Sequence, residues 1–81
     1  METKEIYLRL QQVFDAVFLD QVNVSPTLSA KDVDEWDSVM HVSLVLSIED
    51  AFGITFKVGE VESTKNVGDL ADLISRRLGT K

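Results

Sequence analysis

Eighty-one residues make one small domain, 1–81, able to bury a modest core and too small to enclose a deep substrate pocket as well. Fourteen acidic residues against eight basic ones give a formal charge of −6, which repels phosphate backbones, excludes nucleic acid as a partner and favours a basic protein surface. Cysteine is absent, so disulfide staples and thiolate metal sites are excluded. No apolar run approaches the roughly 20 residues of a membrane span, and the start, Met-Glu-Thr-Lys-Glu, lacks a leader pattern, so the expected compartment is the cytoplasm.

The spacing of Ile6, Leu10, Val13, Phe14, Val17 and Phe18 predicts a first helix from about Lys4 to Leu19 with these residues on its core face. Asp20 to Asp37 reads as a long connection, because Ser25-Pro26-Thr27 breaks the periodicity; Leu28, Val33 and Trp36 are expected to pin it to the domain. The acidic run Asp32, Asp34, Glu35 fails as a calcium loop, since the sixth and twelfth positions counted from Asp32 hold Asp37 and Ser43 instead of Gly and Glu.

A second helix begins after Asp37, a suitable N-cap, and ends at Gly53. Leu44, Val45, Ile48 and Phe52 form its core stripe, with His41 at the upper end. Val39, Val42 and Leu46 fall on another side, where they either tuck under the long loop or form a partner-binding stripe with Asp50, Asp34 and Glu35 on its rim. Glu49 and Asp50 are adjacent and point apart, which is no general acid/base pair. A short helical turn is expected around Lys57 to Val61. A last helix, entered through the capping sequence Asn66-Val67-Gly68-Asp69, has Val67, Leu70, Ala71, Ile74 and Leu78 on its apolar face and Arg76 and Arg77 in its final turn. The fold class is all-α: a small four-helix bundle of three longer helices and one short one, with a long loop between the first two.

Ser38, one step inside the second helix, has no catalytic company. The single histidine, His41, lies nearly a turn away with no orienting third group, and it has no second His or Cys with which to bind a metal. An attachment point is the better reading than a nucleophile used in turnover.

With that setting in view, the chain resembles an acyl carrier protein over nearly its whole length. The resemblance rests on its size and acidity, the long first loop, Asp37-Ser38-Val39 at the second helix, the ending Ile48-Glu49-Asp50-Ala51-Phe52-Gly53-Ile54, and Asn66-Val67 at the last helix. It implies that Ser38, preceded by the motif residue Asp37, carries covalent 4′-phosphopantetheine transferred from coenzyme A, and that acyl groups ride on the arm's thiol. The protein would then be a monomeric carrier without catalysis of its own. It implies docking through Val39, Val42, Leu46, Glu49 and Asp50 to a phosphopantetheinyl transferase and to acyltransferase, ketosynthase or acyl-activating enzymes with basic surfaces. Met40 and Ser43 stand where the fatty-acid-synthesis type often has acids, and Trp36 stands where a small residue is common. These departures lean toward a discrete carrier of polyketide or other specialised biosynthesis. A freestanding aminoacyl or D-alanyl carrier shares the same chemistry, and an acidic helical adaptor with no prosthetic group is the reading from a different class.

Overall fold

The computed structural model describes residues 2–57 and 59–79. Three α-helices carry the fold: α1 (Thr3–Val17), α2 (Ser38–Phe52) and α3 (Val67–Arg77), with one 3₁₀ turn, Ala30–Asp32, inside the long first loop. There is no strand among the described residues, and the all-helical bundle stands as expected. The core is built largely where the apolar periodicity placed it, with Leu73 added and with Val17, Val45 and Leu78 only partly buried. Ile6, Leu10, Val13, Phe14 and Phe18 meet Leu44, Ile48 and Phe52 of α2 and Val67, Leu70, Ala71, Leu73 and Ile74 of α3, all buried. The first helix packs against both others, while α2 and α3 do not approach each other closely. Val61, in the segment after Gly53, is buried and borders a small cavity with His41 of α2 and Leu70 of α3.

Four of the helix ends have an identifiable physical cause. The first helix stops at Val17, two residues short of the expected Leu19. Phe18 is already extended, and the N–H groups of Leu19 and Asp20 donate to the Glu35 carboxylate at 3.3 and 2.9 Å instead of continuing the helix. Asp37 caps α2 by accepting from the Met40 N–H at 2.9 Å. Gly53 closes α2 in the left-handed region, φ 65°. At α3, Asn66 Oδ1 accepts from the Asp69 N–H as a cap should, but the Asp69 carboxylate reaches the Lys65 N–H rather than that of Asn66, so the reciprocal half of the box is displaced by one residue.

The short helix expected over Lys57 to Val61 does not form: residues 59–63 are turns, and Val58, within that expectation, lies outside the described residues. Local side-chain bonds take the place of a helical ladder. Glu60 Oε1 accepts the Lys57 N–H, while the Ser63 and Thr64 hydroxyls donate to the Glu60 and Val61 carbonyls. Arg77, in the last turn of α3, ties this segment down through the Glu60 carboxylate; that hydrogen bond, with help from the Lys57 N–H, holds the Glu60 carboxyl below its ordinary range.

The long loop is fastened at several points. Val22 and Val33 are buried, and Leu28 and Trp36 pack on the core, as the sequence reading expects of the last three. The Gln11 side-chain amide pairs with the loop backbone like a short piece of strand, donating to Val22 O at 2.7 Å and accepting from Val24 N at 2.9 Å. The loop also caps α3: the Val67 and Gly68 N–H groups donate to the carbonyls of Leu28 and Pro26 at 2.8 and 2.9 Å. Finally, Trp36 lies edge-on to Phe14 (5.4 Å between ring centroids) and against Phe18 (6.0 Å), and its indole N–H donates to His41 Nδ1 at 3.0 Å.

Two stability measurements check this account. Phe14→Ala, emptying the centre of the core, is expected to lower the unfolding free energy by about 3–5 kcal/mol in urea titrations, whereas Gly53→Ala should cost only about 1–2 kcal/mol, the strain of a left-handed residue. A double-mutant cycle of Trp36→Phe and His41→Ala should return a coupling of about 1 kcal/mol, the net value of their hydrogen bond.

Candidate functional site

The first turn of α2 presents Ser38 to solvent, and the Asp37 cap sets its position. Asp37 takes the Met40 N–H, and the N–H groups of Ser38 and Val39 find no acceptor in the protein. Two polarised donors therefore remain open beside the Ser38 hydroxyl at the positive end of the helix dipole. His41 cannot act as the base for that hydroxyl. An indole N–H can only donate, so Nδ1, 3.0 Å from Trp36 Nε1, is the accepting nitrogen, and the imidazole hydrogen sits on Nε2. The one lone pair that could take a proton is already occupied.

The other residues singled out in the sequence separate into two groups. Val39, Val42 and Leu46 are 74, 59 and 60 % exposed, so they are not tucked under the long loop; with exposed Asp50 they form a continuous uncovered stripe beside Ser38. Glu49 belongs elsewhere. Its Oε2 accepts the Phe56 N–H at 2.8 Å, which anchors the segment following α2 and turns the carboxylate away from Asp50. Glu35 is likewise occupied by the amides of Leu19 and Asp20. Asp32 accepts from the Ser29 amide and hydroxyl to close the 3₁₀ turn, and among the described residues there is no cluster able to hold a metal ion.

A cleft escaped the reading of the sequence. Between α2 and the chain after Gly53 lies a space of about 260 Å³ walled by His41, Val42, Val45, Leu46, Phe56 and Val61, with Glu49, Lys57 and Glu62 among its charged residues. His41 and Val61 also border a second, smaller cavity of about 80 Å³ shared with Trp36 and Leu70. Successive residues turn by about 100°, so Ser38, Val45 and Glu49 lie within roughly 20° of one meridian of α2. The cleft thus begins one turn below Ser38, on the same side of the helix. The opposite wall could not be foreseen, because Phe56 and Val61 lie in a segment without periodicity.

Comparison with known proteins accords with this arrangement. Residues 35–74, the span that includes Ser38 and most of the cleft, match the family model for a phosphopantetheine attachment site. Over 82 aligned positions spanning the whole of both chains, the protein is 29 % identical to an acyl carrier protein of Coprothermobacter proteolyticus. It is also 29 % identical to one of Rubrobacter xylanophilus, covering 91 % of this chain and 93 % of the relative. The solution NMR structure of a holo acyl carrier protein from Geobacter metallireducens superimposes with a TM-score of 0.75 at 39 % identity, over 95 % of this chain and 85 % of that one. No described helix is long and apolar enough to cross a membrane. An exposed serine in the first turn of α2, an acidic three-helix scaffold and these likenesses agree: the chain belongs to the acyl carrier protein family, whose members carry acyl groups on 4′-phosphopantetheine.

Proposed function

We propose that Ser38 is the residue that carries the arm, joined through a phosphodiester, and that residues 1–81 work as one monomeric, cytoplasmic carrier domain. The observation that carries this reading is the unclaimed pair of N–H groups at Ser38 and Val39 next to an exposed hydroxyl. They suit the phosphate of the arm, which lies where the helix dipole favours an anion. Asp37 adds a like charge, offset in part by its bond to Met40 N–H. The arm supplies a thiol to a chain with no cysteine. The protein's own residues then hold and present the cargo, and with His41 Nδ1 engaged by Trp36 the reactions fall to partner enzymes.

Docking follows from the uncovered stripe. Val39, Val42 and Leu46 give it apolar area, and Asp50 gives it the charge that basic surfaces on a phosphopantetheinyl transferase, acyltransferase, ketosynthase or acyl-activating enzyme would seek. Glu49 adds little beyond its share of the net charge, since its carboxylate is bonded to Phe56. With Met40 and Ser43 in place of acids beside the serine, the face is more apolar than charged. This supports service in polyketide or another specialised pathway over primary fatty acid synthesis, with an aminoacyl or D-alanyl carrier as the second reading.

Incubation with coenzyme A and a phosphopantetheinyl transferase is expected to add the mass of one arm to the protein and nothing to Ser38→Ala. Leu46→Asp, at a 60 % exposed position, should keep the native fold by circular dichroism yet slow arm transfer at least about tenfold. An adaptor without a prosthetic group would reverse the first result, leaving the wild-type mass unchanged.

A further inference from the structure

His41 has a feature that neither the packing nor the attachment site uses. Its Nδ1 accepts from Trp36, so its hydrogen is on Nε2, and that donor has no acceptor in the protein. The ring is only partly buried and forms part of the wall of both the 260 Å³ cleft and the smaller cavity behind it. Beside it in the cleft lining, Val42 and Val45 of α2 and Val61 after Gly53 are apolar, while the smaller cavity also carries Ser29, Thr64, Lys65 and Asn66. Of the cleft's charged residues, Glu49 is held by the Phe56 N–H, and Lys57 and Glu62 are exposed to water. Nε2 is not sealed from solvent, so water can accept from it; a chain that displaced that water would leave the donor unpaired unless it brought an acceptor of its own.

We propose that His41 is the oxygen-recognising residue of the cleft: its Nε2–H donates to a keto or hydroxyl oxygen on the tethered acyl chain, so the cleft retains oxygenated chains in preference to saturated ones. This rests on Ser38 being the attachment point. The occupant is the chain's own cargo, because the cleft opens on the same meridian of α2 as Ser38 and only one turn below it. Trp36 is the positioning residue: by engaging Nδ1 and lying nearly parallel to the imidazole (18° between planes), it fixes both the tautomer and the ring orientation. A saturated chain would fill the cleft but leave Nε2–H without a partner, the loss by which polar sites discriminate against apolar analogues.

The test loads the protein with hydrolytically stable, amide-linked octanoyl, 3-hydroxyoctanoyl and 7-hydroxyoctanoyl pantetheine arms, placing the oxygen at either end of the chain. Arm addition is verified by intact mass. At least one hydroxylated form is expected to melt about 4 °C or more above the octanoyl form, and to shift the His41 ¹⁵Nε2 resonance of the wild-type protein relative to that form. The melting difference should vanish in His41→Phe and persist in Lys57→Ala. Equal melting and an unmoved His41 resonance for all three cargoes overturn the inference, as does a difference that survives in His41→Phe or disappears in Lys57→Ala. If His41→Phe does not fold, the wild-type resonance alone decides. Failure to add any arm overturns the carrier reading itself, and this inference with it; successful loading with a silent His41 overturns only the latter.

Discussion

Trp36 is the contact on which the rest of the arrangement depends. It lies two residues before Ser38, at the point where the long loop must hand the chain to α2, and its indole is clamped by Phe14 and Phe18 of the α1 region on one side and bonded to His41 of α2 on the other. One side chain therefore fixes the height of the loop's end against α1, the start of α2 and the state of the histidine that follows. A smaller residue would leave the end of the 18-residue connection (residues 20–37) tied to the α1 region through buried Val33 and the Glu35 carboxylate alone. The cap on Met40 would still form, but the direction in which α2 sets out would lose its main constraint.

The same economy explains why α2 is apolar on more than one side. In a domain of this size the core can accept one stripe per helix, and Leu44, Ile48 and Phe52 occupy that stripe. Covering Val39, Val42 and Leu46 would need another layer of chain, and the loop before α2 is already committed. Its backbone caps α3 through Pro26 and Leu28, and its middle is strapped by Gln11. The loop's hydrogen bonds tie it to α1 and to the start of α3, and the stripe is left in water. An uncovered apolar surface beside an exposed serine suits the proposed carrier, on which several enzymes must seat in turn, each for a short time.

How much of this was legible in the sequence follows the range of the interactions involved. The core faces of α1, α2 and α3 were readable because they repeat every 3.6 residues, and the caps at Asp37, Gly53 and Asn66 because they act within a turn. The end of α1 was misplaced at Leu19 because the acceptor that draws it off, Glu35, lies 15 residues from Asp20 in the sequence. The turn segment after Gly53 was read as helical because hydroxyls competing for backbone carbonyls leave no periodic trace. Ser38 stood out by its setting, whereas the occupied nitrogen of His41 and the diversion of Glu49 to Phe56 depend on partners that only the folded chain brings within reach.

Those two diverted side chains change the account of α2 as a docking helix. Read along the sequence, Glu49 and Asp50 are a pair of surface acids; in the fold, only Asp50 is free, and Glu49 holds one wall of the cleft in place. The helix thus has two sides about 100° apart, the exposed stripe proposed for docking and the side that lines the cleft, with Ser38 at the head of the second. Val42 and Leu46 lie on the boundary and take part in both, as exposed residues of the stripe and as lining of the cleft. A partner that seats on the stripe therefore presses on the same two side chains that border the cleft, so occupancy of one side can bias the other without movement of the core. For two sites sharing residues in this way, any coupling must be reciprocal: whatever the seated enzyme does to the cleft, contents of the cleft do to the enzyme's affinity.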